Sequence, residues 1–104
     1  MSWDIDVSEK LYQRLANEVF FRILRGKYAL GAKLPSYIDL AKEAGSSPDT
    51  ARKAIRELQQ HGVIEKTQRG YYVTADEAVV MAYRQQYLTT IEEQYLTAKA
   101  KAEI

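Results

Sequence analysis

Residues 36–62 read SYIDLAKEAGSSPDTARKAIRELQQHG, and two helical patterns lie in this stretch with only a few residues between them. Ser36 stands as an N-cap with Asp39 three residues on, a capping-box pairing in which hydroxyl and carboxylate each satisfy a free backbone N–H. The first helix is expected over residues 37–44, with Leu40 and Ala41 inward and Gly45 closing it. In the second pattern Ser47 caps and Pro48 takes the first helical position, where its missing N–H costs nothing. That helix is expected over residues 48–61, with Ala51, Ala54, Ile55 and Leu58 buried at helical spacing and Gly62 as the stop. A short helix, a tight turn containing glycine and a second helix make a helix-turn-helix.

Upstream, Leu11, Leu15, Val19 and Ile23 recur every four residues with Ala16, Phe20 and Leu24 alongside. This pattern predicts an amphipathic helix over residues 9–25, capped by Ser8 and ended by Gly26. Residues 27–35, punctuated by Gly31 and Pro35, read as a loop. Downstream, Val63 and Ile64 begin a strand, Gln68-Arg69-Gly70 is a turn, and Tyr71-Tyr72-Val73 returns antiparallel. Two strands straight after a helix-turn-helix form a wing. Thr74-Ala75-Asp76-Glu77 reads as a capping box opening a last helix, expected to run nearly to the end and to fray over residues 99–102. The expected fold is mainly α with a small β-hairpin. Residues 1–74 would form a winged helix-turn-helix domain and residues 75–104 a C-terminal helical dimerisation arm.

The whole chain sets the bounds. Its 104 residues suit one domain, and 46% apolar with 28% charged residues is ordinary globular composition. No window approaches the roughly 18 consecutive apolar residues of a membrane helix. The acidic start, Met1-Ser2-Trp3-Asp4, lacks the basic-then-apolar order of a signal peptide. Cysteine is absent, which removes disulfides and thiolate metal sites and points to a cytoplasmic protein. Residues 1–74 carry twelve Lys/Arg against nine Asp/Glu, a balance of +3; residues 75–104 carry three against five, a balance of −2. A mildly basic body with an acidic tail suits a nucleic-acid module whose last segment has another task.

A helix that enters the major groove reads bases from its N-terminal part and touches phosphates from its flanks. Ser47, Asp49, Thr50 and Lys53 occupy the start and exposed face of the second helix of the motif, followed by Arg52 and Arg56. Its N-terminus carries partial positive charge and free N–H groups suited to a phosphate. Arg52 can fork onto guanine O6 and N7. Arg69 at the wing tip, with Lys66 nearby, can reach the adjacent minor groove or backbone. The bland alternative is that these charges form a solvated helix face, and Asp49 and Glu57 dilute the basic patch.

The run Leu30-Gly31-Ala32-Lys33-Leu34-Pro35-Ser36, then Asp39-Leu40-Ala41, resembles the signature of the GntR family of bacterial regulators. Thr50-Ala51-Arg52-Lys53-Ala54, Leu58, Gly62 and Gly70 to Val73 continue the likeness. Leu11-Tyr12-Gln13 and Ile23-Leu24-Arg25-Gly26 extend it upstream, so it covers about residues 9 to 74. The Ser47-Pro48-Asp49-Thr50 entry and the short tail are similar to the YtrA subfamily, whose C-terminal region serves dimerisation. The resemblance implies that Ser36, Thr50 and Arg52 sit at DNA-contacting positions and that Gly70 approaches the DNA backbone. Two positions depart from the pattern. Ile38 stands where many members have a DNA-contacting arginine, and Gln68 where the wing often has glycine. Neither change threatens the fold, because Ile38 can pack and Gln68 is acceptable in a turn.

In the last helix Val79, Tyr83, Tyr87, Ile91 and Tyr95 follow at four-residue spacing, a slowly spiralling apolar and aromatic stripe. It can pack back on its own domain or on the same helix of a second subunit. A winged helix closed by three helices and a hairpin leaves little core for a further helix to cover, which favours a homodimer interface at these five residues. The chain gives no support for an enzyme. Its single histidine, His61, reads as a cap or phosphate contact, and no metal site, cofactor or Gly-rich phosphate loop is evident. About 30 residues after the wing cannot enclose an ordinary ligand pocket. A small-molecule effector, if one exists, would act at the dimer interface or between arm and winged domain.

The partners expected are therefore double-stranded DNA and a second copy of the chain, with no membrane. A regulator of this kind, acting as a repressor on a near-palindromic operator, is the leading reading. A winged-helix protein-interaction module and a DNA-binding fragment of a larger ligand-responsive regulator are the competing ones.

Overall fold

The computed structural model describes residues 7–103, with side chains from residue 11 onward. Helix α1 (Val7–Leu24) leads into α2 (Tyr37–Ala44), α3 (Pro48–Gln60), strands β1 (Ile64–Thr67) and β2 (Gly70–Val73), and the long α4 (Glu77–Ala102). The core is the apolar face that the sequence marks. Ala16, Val19 and Phe20 from α1 meet Leu40 and Ala41 of α2 and Ala51, Ala54, Ile55 and Leu58 of α3, all fully or nearly fully buried. Val63, Ile64 and Val73 of the hairpin complete it. Burying each such side chain contributes about 1.5–3 kcal/mol before entropy is subtracted.

The helix ends follow the capping residues. Ser36 Oγ accepts from the Asp39 N–H at 3.1 Å, and Ser47 Oγ from the Thr50 N–H at 3.1 Å. Gly45 closes α2 at φ 68°, a left-handed conformation that glycine takes without a Cβ penalty. His61 caps α3, which ends at Gln60, one residue earlier than expected. Two expected caps differ. Helix α1 already begins at Val7, so Ser8 lies inside it rather than before it, and its side chain is outside the described residues. The start of α4 is capped by Asp76, whose Oδ1 accepts from the Ala78 N–H at 2.9 Å. Thr74, expected as the cap, is instead buried and takes the Asp76 N–H on Oγ1 at 3.2 Å.

In the hairpin Ile64 pairs with Val73 and Thr67 with Gly70, antiparallel around a two-residue turn of Gln68 and Arg69. The stretch expected as a plain loop does more. Leu34 N–H donates to Tyr71 C=O at 2.8 Å and Val73 N–H to Ala32 C=O at 2.9 Å, with a bridge between Lys33 and Tyr72. Residues 32–34 thus add a short third rung to the free edge of β2, satisfying backbone groups that would otherwise face water.

The arm corrects one expectation. Its first half does find intramolecular core to cover. Val80 and Tyr83 are buried, and Val79 packs against the core. Tyr83 meets Phe20 edge-on, and Tyr87 meets Phe21 edge-on with centroids 5.5 Å apart. Four large aromatic rings, Phe20, Phe21, Tyr83 and Tyr87, meet across a gap that backbone packing alone would leave open, which periodicity cannot foresee. Past Tyr87 the helix leaves the body and stays helical through Ala102, where fraying was expected.

Candidate nucleic-acid interface

The tertiary fold sets the outward face of α3 from Arg52 to Gln60 beside the wing. Arg52, Arg56, Gln59 and Gln60 of α3 and Lys66 and Tyr71 of the hairpin line a common groove. Lys66 Nζ lies 5.9 Å above the Tyr71 ring, and Arg69 is exposed at the turn. The groove therefore has donors and cations on both walls, with the flat face of a tyrosine between them. Phosphate and base edges are the chemistry such walls recognise.

At the entry to α3 the polar residues are organised by one another. Ser47 Oγ and Thr50 Oγ1 lie 2.9 Å apart, and the cap orients both at the helix N-terminus. Asp49 takes Arg52 Nη2 on Oδ1 at 2.6 Å and holds Lys53 Nζ 3.4 Å from Oδ2. The Arg52 guanidinium beside it keeps the Asp49 carboxyl below its ordinary range, and Asp49 in turn raises the Arg52 pKa. Lys53 and Arg56 are exposed and Arg52 half-exposed, as an interface in waiting requires.

Ser36 lies at the α2 N-terminus with its hydroxyl committed to the cap. Gly70 opens β2 at φ 125°, and a Cβ there would sit 3.2 Å from Lys33 Cε. Lys33 is thus a wing residue, laid across the turn by its bridge to Tyr72. Sequence reading missed it because it treated residues 27–35 as loop; the extended run between Gly31 and Pro35 was the available signal. Gln59, Gln60 and Tyr71 were missed as well, since only the fold sets them opposite one another.

His61, expected as a cap or phosphate contact, does cap α3 and also lies against the arm, its ring 4.9 Å from that of Tyr83 and Nε2 3.5 Å from Glu57 Oε1. One further position differs from expectation. Ile38 is 46% exposed and does not pack inward. Of the five arm residues expected at an interface, Val79, Tyr83 and Tyr87 serve the chain's own core, whereas Ile91 and Tyr95 remain exposed. Among the described residues no cluster of histidine and carboxylates is arranged for a metal, and no helix is long and apolar enough to cross a membrane.

A helix-turn-helix with a cation-bearing wing beside its second helix defines a winged-helix regulatory protein. Comparison with known proteins agrees, because the family described as "Bacterial regulatory proteins, gntR family" matches residues 11–73, and the chain belongs to that family. The HTH-type transcriptional repressor YtrA of Bacillus subtilis is 31% identical over 88 residues, which is 84% of this chain and 66% of that protein. A solved GntR family transcriptional regulator from Listeria monocytogenes superposes with a TM-score of 0.79 at 25% identity, covering 96% of this chain and 89% of the other. BusR of S. agalactiae, solved with its busA promoter DNA, gives a TM-score of 0.70 at 28% identity, covering 89% of this chain and 47% of BusR. The match to another curated relative spans about half of that protein's length (51%).

Proposed function

We propose that this chain is a sequence-specific DNA-binding transcriptional regulator, a dimeric repressor that reads a near-palindromic operator through α3 and the wing. One observation carries the reading: cations and amides from α3 and from the hairpin line a single groove. With the start of α3 in a major groove, Thr50 and Arg52 meet base edges, and Arg52 offers a fork to guanine. Ser47, Lys53 and Arg56 contact flanking phosphates, as does Ser36 at the α2 N-terminus. Arg69, Lys66 and Lys33 bring the wing to the neighbouring backbone, where the missing side chain of Gly70 allows close approach. BusR, bound to its promoter DNA, supports this by its similar fold. Such a role is one of the cytoplasm.

The exposed half of α4 supports a second copy as the partner. Leu88, Ile91 and Tyr95, followed by Ala98, recur at alternating three- and four-residue spacing and are exposed. Such spacing fits the seam of a two-helix coiled coil, which would bury the apolar residues a lone arm leaves in water. A two-fold dimer sets its recognition helices about 34 Å apart, or a multiple of that, and so demands matching half-sites.

The test is a titration of the purified chain against the DNA upstream of its own gene at several salt concentrations. A specific complex whose affinity falls steeply with salt is expected, because phosphate contacts release counterions. Affinity indifferent to salt, or no preference for that DNA over random duplex, would sink the reading.

A further inference from the structure

We infer that Asp49 is a positioning residue for base readout: it aims Arg52 from the first turn of α3, raising discrimination while lowering general affinity for DNA. The inference rests on the DNA-binding role proposed above.

Asp49 follows Pro48 at the second position of the helix, and both its carboxylate oxygens are engaged. Oδ1 accepts from Arg52 Nη2 at 2.6 Å, and Oδ2 lies 3.4 Å from Lys53 Nζ. The three side chains are 60%, 40% and 46% exposed, so these pairs add little to folding. The helix does not need the carboxylate for its cap either, since Ser47 supplies that. On a face that approaches a polyanion, a carboxylate subtracts from phosphate attraction. Its gain must then be geometric.

A guanidinium has five N–H donors, so one given to Asp49 leaves enough to fork onto a guanine. An arginine already fixed loses less rotamer freedom on contact than one that sweeps through solvent. It is also held off nearby phosphates, the contacts that carry no sequence information. The same carboxylate partly offsets the charge that Lys53 brings to its phosphate contact.

The experiment compares the full chain with Asp49→Asn, Arg52→Ala and the double variant. Each is titrated against the footprinted operator, against operators with single base changes, and against a random duplex at several salt concentrations. Asp49→Asn keeps the shape and the Ser47 cap but removes the charge. It should tighten random-duplex binding by roughly threefold or more and steepen its salt dependence. It should also reduce preference at one base step by about tenfold. In the Arg52→Ala background the same change should cause no further loss of preference. Discrimination unchanged in Asp49→Asn, or lost equally with and without Arg52, would overturn the inference. If the unaltered chain itself shows no operator preference, the DNA-binding role fails and the inference with it, an outcome distinct from an intact preference in the variant.

Discussion

Phe20 of α1 and Tyr83 of α4 meet edge-to-face, ring centroids 4.6 Å apart and planes at 79°. The contact ties the arm to the body at the point where His61, the cap of α3, also lies against Tyr83. Burial, with help from the Glu57 charge, pushes the Tyr83 phenol pKa up, which marks the ring as part of the core. Tyr83→Ala should therefore cost about 3 kcal/mol of stability, the ordinary loss for an aromatic removed from a core. Tyr83→Phe should stay within about 0.5 kcal/mol, because the ring and not the hydroxyl makes the contact. Denaturant unfolding of both variants checks this.

The outer half of α4 should behave oppositely. Leu88→Glu with Ile91→Glu alters exposed positions, so the thermal midpoint of a monomeric body should hardly move. The proposed dimer should dissociate, since charge on the proposed coiled-coil seam opposes association. Sedimentation velocity reads the outcome, and a dimer that persists would reject the seam.

At the wing, Gly70 combines a φ of 125° with Lys33 Cε 3.2 Å from any added Cβ. Gly70→Ala should cost about 1–3 kcal/mol through backbone strain alone. Gly26, at φ 80° with open space around it, should lose only about 1 kcal/mol in the same change. Chemical denaturation of both variants checks the two losses.

Arg52→Ala should cost about 1–3 kcal/mol in operator binding and relax selectivity at one base step. Arg56→Ala should weaken all sequences alike and lower the salt slope by about 1. Competition titrations separate the two effects.

Acid stability depends on Arg22, which reaches Glu43 at 2.7 Å, Glu18 at 3.3 Å and the Tyr28 hydroxyl at 3.4 Å. The Arg22 guanidinium lowers the Glu43 pKa from its ordinary 4.5. A carboxyl lowered in the folded state stabilises fully above its unfolded value, and that part is lost as pH falls through the folded value. Glu43→Gln should thus reduce the stability gained between acid and neutral pH, with little difference from the parent below both values. Unfolding curves from pH 3 to 7 test it.

The order of the elements is local physics, and so the sequence alone determined it. Ser36, Ser47 and Pro48 fix two helix starts, Gly45 and Gly62 the stops, and the spacing of Ala51, Ala54, Ile55 and Leu58 selects the buried face. Charged residues at the start of α3 could likewise be named, since capping leaves them outward. What the tertiary structure decided is adjacency between residues distant in sequence. Lys33 reaches the wing because residues 32–34 hydrogen-bond to β2, and Gln59 faces Lys66 only once the hairpin folds back. The four-residue stripe on α4 looked uniform because periodicity reports a face and never its partner. Large rings on α1 capture its first half, and the geometry that carries α4 off the body leaves Leu88, Ile91 and Tyr95 for another surface.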